Sequence, residues 1–187
     1  VDKDDSKVKV IDIESMEITS DIETGNSTQP VFIVSNEYKS FILNGGGESF
    51  NERDSSVISV DFKDQLVPLA EFSGSINLGY NPTSAILYYN PTVLCKGVYN
   101  VNDNSEDIES SIYKINGYDN SITNSIILNG VYNADNLIAN NDASFLYFTA
   151  HDGVYRINSS SFSLSSVLAH KANVMRMNYE IYPITDS

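Results

Sequence analysis

The sequence predicts an all-β fold, and within that class a β-propeller of four-stranded blades. Three observations carry the prediction. First, no long stretch shows the i, i+3, i+4, i+7 apolar spacing of an amphipathic helix. Second, short runs of β-branched and aromatic residues recur between clusters of Asn, Asp, Ser, Gly and Pro, the pattern of strands joined by tight turns. Third, one seven-residue pattern returns four times: Ser6 to Asp12, Ser55 to Asp61, Ser110 to Asn116 and Asp152 to Asn158. Each copy is a small or polar pair, a β-branched residue, two variable residues, a second β-branched residue and a closing Asp or Asn. The copies lie roughly 40 to 55 residues apart, a period typical of propellers and solenoids.

Taken in order, the chain reads as blocks. Val8, Val10 and Ile11 form a strand, and Met16 to Thr19 the next, with a turn near Ile13 to Ser15. A polar loop from Glu23 to Gln29 leads to Pro30. Val31 to Val34 is continuously apolar, so both its faces are expected to be covered. Asn36-Glu37 turns, Phe41 to Leu43 is a second strand, a polar loop runs from Asn44 to Asp54, and Val57 to Asp61 is the third. Leu66 to Leu69 is expected to be the outermost strand, because Pro68 is tolerated only where an N–H partner can be lost. The next block repeats this grammar with Ala85 to Tyr89, an Asn90-Pro91 turn, Val93 to Val98, an acidic loop from Asn100 to Glu109, Ile112 to Asn116, and Ile122 to Leu128. A third follows: Leu137 to Ala139, an Asn140 to Asp142 turn, Phe145 to Thr149, a tight turn at His151 to Gly153, Val154 to Asn158, and Phe162 to Leu168. Val174 to Met177 and Ile181 to Thr185 begin another block. Asn suits the many turns because it tolerates left-handed backbone and bonds its own main chain.

The expected organisation is one propeller domain or fragment: a half-blade at 6–22, blades at 30–72, 82–128 and 134–168, and a half-blade at 173–187. The two halves are complementary. They either pair to close a four-bladed ring or belong to different blades of a ring of about seven or eight. A β-sandwich with accidental strand similarity is the alternative architecture.

At 187 residues the chain is one ordinary domain or part of a larger one, and its 41% hydrophobic content can build a core. Trp is absent, but 12 Tyr and 8 Phe supply large side chains. The formal charge of -14 argues against nucleic acid, whose affinity rests on Lys and Arg neutralising phosphate, and against an anionic membrane surface. The charge itself reads as a device for solubility. No apolar run approaches the roughly 18 residues of a spanning helix. The start at Val1, without Met or a signal-like segment, reads as a removed leader or a trimmed end. The single cysteine, Cys95, lies in an apolar run and reads as a small buried hydrophobe.

In a propeller, the connections from second to third strand share one face with those from fourth to first, and ligands usually sit there. Candidate ligand-binding residues on that face are Asn44 and Arg53 in the first long loop, Tyr99 and Asn100 in the second, and His151 and Asp152 in the third. Asp103, Glu106 and Asp107 supply the oxygen chemistry of a calcium site, the only cofactor suggested. Their order lacks the D-x-[DN]-x-[DN]-G arrangement with a distant Glu, so a solvated acidic loop is the preferred reading. His151 and His170 are the only histidines and their spacing makes no zinc cluster. Gly45-Gly46-Gly47 lacks the Lys-Ser/Thr and helix of a phosphate loop, and no Ser has a nucleophile-elbow context. Tyr80, Tyr88, Tyr89, Tyr99, Tyr132 and Tyr179 read mostly as packing and turn residues, with a few at loop bases placed to stack on a ligand.

The lead-in Gly79 to Pro82, with its inner strand, Asn turn and Ser-Ser-Ile/Val strand, resembles secreted bacterial propellers of the lactonase-like and quinoprotein-like kind. Phe41 to Gly47 with Ser55-Ser56-Val57, and Leu146 to Ala150 with Gly153 to Asn158, look most like the surface lipoprotein propellers of Bacteroidetes. Some of those capture corrinoids beside an outer-membrane transporter. The repeat architecture, the long polar loops and the lack of a catalytic cluster, beside this resemblance, point to a non-enzymatic binding protein on the outer-membrane surface or in the periplasm. It would hold a small-molecule ligand or a transporter protein by its loop-rich face, with no nucleic acid and no transmembrane segment of its own. The resemblance carries no ligand motif over to individual residues. The alternatives are a lactonase-like metal-dependent hydrolase and a purely structural docking propeller.

Overall fold

The computed structural model describes residues 6–25, 29–36, 38–45, 54–62, 70–88, 90–99 and 107–168. These form strands and turns, with no helix among the described residues. Strands β1 (Lys7–Ile11) and β2 (Ile18–Glu23) make an antiparallel pair. Three antiparallel four-stranded sheets follow, each built from strands consecutive in the chain. The first contains β3 (Pro30–Ser35), β4 (Lys39–Asn44), β5 (Ser56–Phe62) and β6 (Ala70–Asn77). The second contains β7 (Pro82–Leu87), β8 (Pro91–Cys95), β9 (Ser111–Ile115) and β10 (Ile122–Ile127). The third contains β11 (Asp135–Ala139), β12 (Phe145–Ala150), β13 (Gly153–Asn158) and β14 (Leu164–Leu168).

The sheets stack face to face like blades, because side chains alternate sides along each strand. In β4, Phe41 and Leu43 join Val57, Ala85, Val93, Cys95 and Ile115 in the core between the first and second sheets. Ile42, one residue out of phase, joins Val8, Ile58 and Val60 under the β1–β2 hairpin. In β8 the alternation repeats: Val93 and Cys95 face the first sheet, while Leu94 enters the core with Leu137, Leu146, Phe148 and Ile157 of the third. These central strands thus feed two cores, one on each side. Truncating Phe148 or Leu94, each fully buried, to Ala would cost about 3–5 and 2–5 kcal/mol respectively. The first strands form the inner edge of the stack, with β7 packed against both β3 and β11.

Two strand expectations change. The outer strand of the first sheet is β6 at Ala70–Asn77, beyond Leu66 to Leu69, which lie outside the described residues. The apolar run of β3 is not covered on both faces: Val31, Phe32 and Ile33 are 39%, 37% and 37% exposed. The β1–β2 hairpin reaches the outer strand β6 but supplies only two strands, so among the described residues no sheet lies over the inner strand on that side. The expected half-blade at 173–187 lies outside the described residues.

The closing Asp or Asn of the repeat has a physical role. Asp12, Asn116 and Asn158 each begin the turn from third to fourth strand. In each, the backbone N–H donates across the turn, to Glu17, Ser121 and Ser163 carbonyls respectively. The fifth turn residue, Met16, Asn120 or Phe162, has φ of 58°, 64° or 52° and donates its N–H back to the first residue's carbonyl. The side-chain oxygen of the first residue accepts turn N–H groups: from Glu14 and Ser15 at Asp12, Tyr118 at Asn116, and Ser160 and Ser161 at Asn158. Asp61, the fourth copy, instead ion-pairs with the buried Lys39 at 3.2 Å. Lys39 also donates to the Tyr118 carbonyl and Asn120 Oδ1 of the neighbouring sheet's turn, fastening two blades together.

Candidate functional site

The opposite end of the sheets carries the connections from second to third and from fourth to first strand. One backbone bond recurs there in all three sheets: Gly45, Gly97 and His151 donate their N–H groups to the carbonyls of Gln29, Tyr80 and Tyr132. The lead-ins Tyr80-Asn81 and Tyr132-Asn133 turn through Asn residues at φ 55° and 56°. At Gly97, φ is +71° and the Glu109 carbonyl oxygen would lie 2.8 Å from an added Cβ, so only glycine fits. This glycine brings the chain into Val98, whose N–H and C=O both bond Ile108 at 2.9 Å, and so delivers Tyr99 to the end of the seam.

The result is an aromatic group drawn from two sheets. The Tyr99 and His151 rings stack with centroids 4.9 Å apart and an interplanar angle of 27°. Tyr132 meets His151 edge-on at 5.9 Å and Tyr99 at 5.8 Å. His151 Nδ1 lies 3.2 Å from the Tyr132 carbonyl, which can only accept, so the proton belongs on Nδ1 and Nε2 is left as an acceptor. Asp152 adds a carboxylate 3.6 Å from the same ring nitrogen. Its other oxygen accepts a hydrogen bond from the Tyr155 hydroxyl at 2.8 Å. Burial, with that carboxylate beside it, pushes the Tyr155 phenol up to about 12. Tyr99 remains exposed enough to present its ring to an incoming molecule.

The second feature at this end is a set of oxygens without partners. Five buried side-chain atoms among the described residues lack a hydrogen bond, and four of them belong to residues at this end of the sheets: Gln29 Oε1, Asn44 Oδ1, Asn81 Oδ1 and Thr83 Oγ1. The fifth, on Asp61, is the oxygen ion-paired with Lys39. Gly45 lies where the backbones carrying these residues approach one another. It follows Asn44, donates to the Gln29 carbonyl at 3.0 Å, and would place a Cβ 3.2 Å from the carbonyl of Pro82, which Asn81 and Thr83 flank. Such groups normally find a partner when buried. Neutral amide and hydroxyl oxygens of this kind are ligands for a hard cation or acceptors for a ligand's N–H and O–H groups.

The predicted site residues separate accordingly. Tyr99, His151 and Asp152 come together. Asn44 is fully buried rather than presented on a loop, and its Nδ2 donates to the Thr24 carbonyl and Ser56 Oγ at 3.1 and 2.8 Å. Arg53, Asn100, Asp103 and Glu106 lie outside the described residues. Asp107 precedes the Val98–Ile108 bridge, and the described residues contain no group of three His, Cys, Asp or Glu placed to hold a metal. Tyr132, expected among the packing tyrosines, completes the aromatic group. The signal for it is the alignment of its lead-in with Tyr80-Asn81, which places it on the loop face. Cys95 is buried as expected, and burial pushes its thiol up to about 12.

No protein-family model matches the chain, and no curated protein matches it in sequence. Solved structures do match. Hydrazine synthase of Kuenenia stuttgartiensis superposes with a TM-score of 0.67 at 14% identity, over 88% of this chain and 49% of that one. Dihydro-heme d1 dehydrogenase superposes with a TM-score of 0.62 at 10% identity, over 86% of this chain and 32% of that one. At these identities the likeness shows the fold, a β-propeller, and the chain spans about half and a third of the two proteins. No helix among the described residues is long and apolar enough to cross a membrane.

Proposed function

We propose that this chain is a non-enzymatic binding module that captures a small ring-bearing ligand on the loop end of a propeller. The observation that carries the reading is the Tyr99–His151 stack with Tyr132 at its edge and the Asp152 carboxylate beside it. Aromatic faces hold a planar or ring-shaped partner, and the His151 nitrogen and Asp152 oxygens fix its orientation through polar bonds. The setting is the outer-membrane surface or the periplasm, where the ligand is passed to a transporter protein. The resemblance to surface lipoprotein propellers supports this setting.

A thermal-shift series with cobalamin, haem, oligosaccharides and calcium tests the proposal. A ligand at about 100 times its Kd adds about 2.7 kcal/mol, or roughly 5–10 °C in a domain of this size. The expected result is such a rise with one ring-bearing compound, lost in Tyr99→Ala and Tyr132→Ala. No rise with any of them, alongside retained binding to a membrane partner in a pull-down, overturns ligand capture in favour of protein docking. Turnover in a lactone hydrolysis assay with bound metal overturns it in favour of the hydrolase.

A further inference from the structure

The turn end of the molecule holds a second concave site, independent of the loop end. It lies in the seam between the second and third sheets and has a volume of about 380 Å³, within the range of about 300–1,000 Å³ of small-molecule sites. Its apolar lining includes Leu146, a member of the inter-sheet core, and Ile86, half-buried against that core. Its charged lining comes from opposite walls: Lys114 on β9 of one sheet and Asp142 in the first turn of the other.

The two charges are in different situations. Lys7, Lys9 and Lys39 each reach a carboxylate, on Glu23, Asp21 and Asp61, at 3.2–3.3 Å. Among the described residues, no carboxylate or hydrogen-bond acceptor meets the Lys114 ammonium, although the chain carries 25 acidic residues against 11 Lys and Arg. Lys114 is half-buried, and its ammonium is free to take an anion brought from outside. Asp142 is anchored by one oxygen, which accepts from the Ser144 N–H at 3.0 Å and the Ser144 hydroxyl at 2.7 Å. Those bonds, the hydroxyl's first, hold its carboxyl below the usual carboxylate range, so it is a permanent anion at neutral pH.

We propose that this pocket binds an aliphatic α-amino acid, with the carboxylate on Lys114, the ammonium on Asp142 and the side chain over Ile86 and Leu146. A lone anion would satisfy Lys114 but meet Asp142, and a lone cation would do the reverse. A small zwitterion with an apolar side chain matches all three features of the lining.

The test is an NMR titration of the chain with L-leucine, 4-methylpentanoate and isopentylamine. Leucine is expected to shift amide resonances at Thr92, Lys114 and Ser144, and each single-charge analogue to bind about tenfold more weakly. Lys114→Gln should weaken leucine and 4-methylpentanoate by about tenfold and leave isopentylamine no weaker. Asp142→Asn, which keeps an oxygen for Ser144, should weaken leucine and isopentylamine only. No response to leucine, or equal affinity for leucine and either analogue, overturns the proposal. The analogue comparison on the unmodified chain decides the matter if a variant does not fold. Failure here would leave the loop-end reading untouched, because no residue is shared.

Discussion

The two ends of the blades differ in how they use polar atoms. At the turn end, Asp12, Asn116 and Asn158 commit their side-chain oxygens to N–H groups two or three residues away, and Asn36 and Asn140 bond likewise within turns between first and second strands. At the loop end, four buried oxygens, on Gln29, Asn44, Asn81 and Thr83, have no partner among the described residues. Local turns are closed by atoms nearby in sequence, so they are complete within the chain. The loop end is assembled from residues of different sheets: Tyr99 keeps an exposed ring there, while the four acceptors are buried without a partner among the described residues. The contrast teaches that a repeat can be tightly self-satisfied at one end while polar atoms at the other stay unpaired among the described residues.

The largest effect that would sharpen this contrast is at Gly97. Gly97→Ala forces a Cβ into the Glu109 carbonyl at positive φ, and we expect a loss of about 3 kcal/mol in chemical denaturation. A change within about 0.5 kcal/mol would mean that the loop end adapts freely. Next come two buried hydroxyls of opposite status. Ser110 Oγ donates to the Lys96 carbonyl at 2.7 Å and accepts from the Ala134 N–H at 3.0 Å, so Ser110→Ala should cost about 2 kcal/mol. Thr83→Val removes an oxygen that bonds nothing among the described residues and should leave stability within about 0.5 kcal/mol or raise it. Equal losses from the two would erase the distinction. At the turn end, Asn158→Ala frees the Ser160 and Ser161 N–H groups to water and should cost about 1 kcal/mol by the same measurement.

The smallest effect is in pH dependence. The Tyr155 phenol is raised in the folded state from 10.0 to about 12, so its protonated form favours folding. That contribution is complete below pH 10 and is lost as pH rises towards 12. Asp152→Asn removes the carboxylate and should move the Tyr155 transition towards 10, seen as the difference between ultraviolet titrations with and without Tyr155→Phe. An unmoved transition would show that burial alone sets it.

Most of the architecture was legible because it is written locally. Short apolar runs such as Phe41-Ile42-Leu43 declare strands, and the Asp or Asn after the third strand declares a turn. The Asx-type bond needs only two or three residues of sequence, so its signal survives without knowledge of the rest of the fold. Misplacing the outer strand of the first sheet had a local cause too. Pro68 drew the strand to Leu66–Leu69, while the paired strand Ala70–Asn77 contains Gly74 and polar residues and looks weak alone. The site was half legible. His151, Asp152 and Tyr99 could be placed because they sit at loop positions of a countable repeat. Tyr132 could be placed on the loop face by its lead-in, but its ring contacts and the unpaired oxygens could not be read, because they depend on contacts between sheets. The same holds for Lys114 and Asp142, which lie 28 positions apart and line one pocket only because two sheets pack together.

A crystal structure that resolves ordered solvent would test the central contrast most directly. The account predicts density from a ligand, an ion or water against Gln29 Oε1, Asn44 Oδ1, Asn81 Oδ1 and Thr83 Oγ1, and turn oxygens at Asp12, Asn116 and Asn158 bonded to their own N–H groups. Protein donors on all four loop-end oxygens would contradict it.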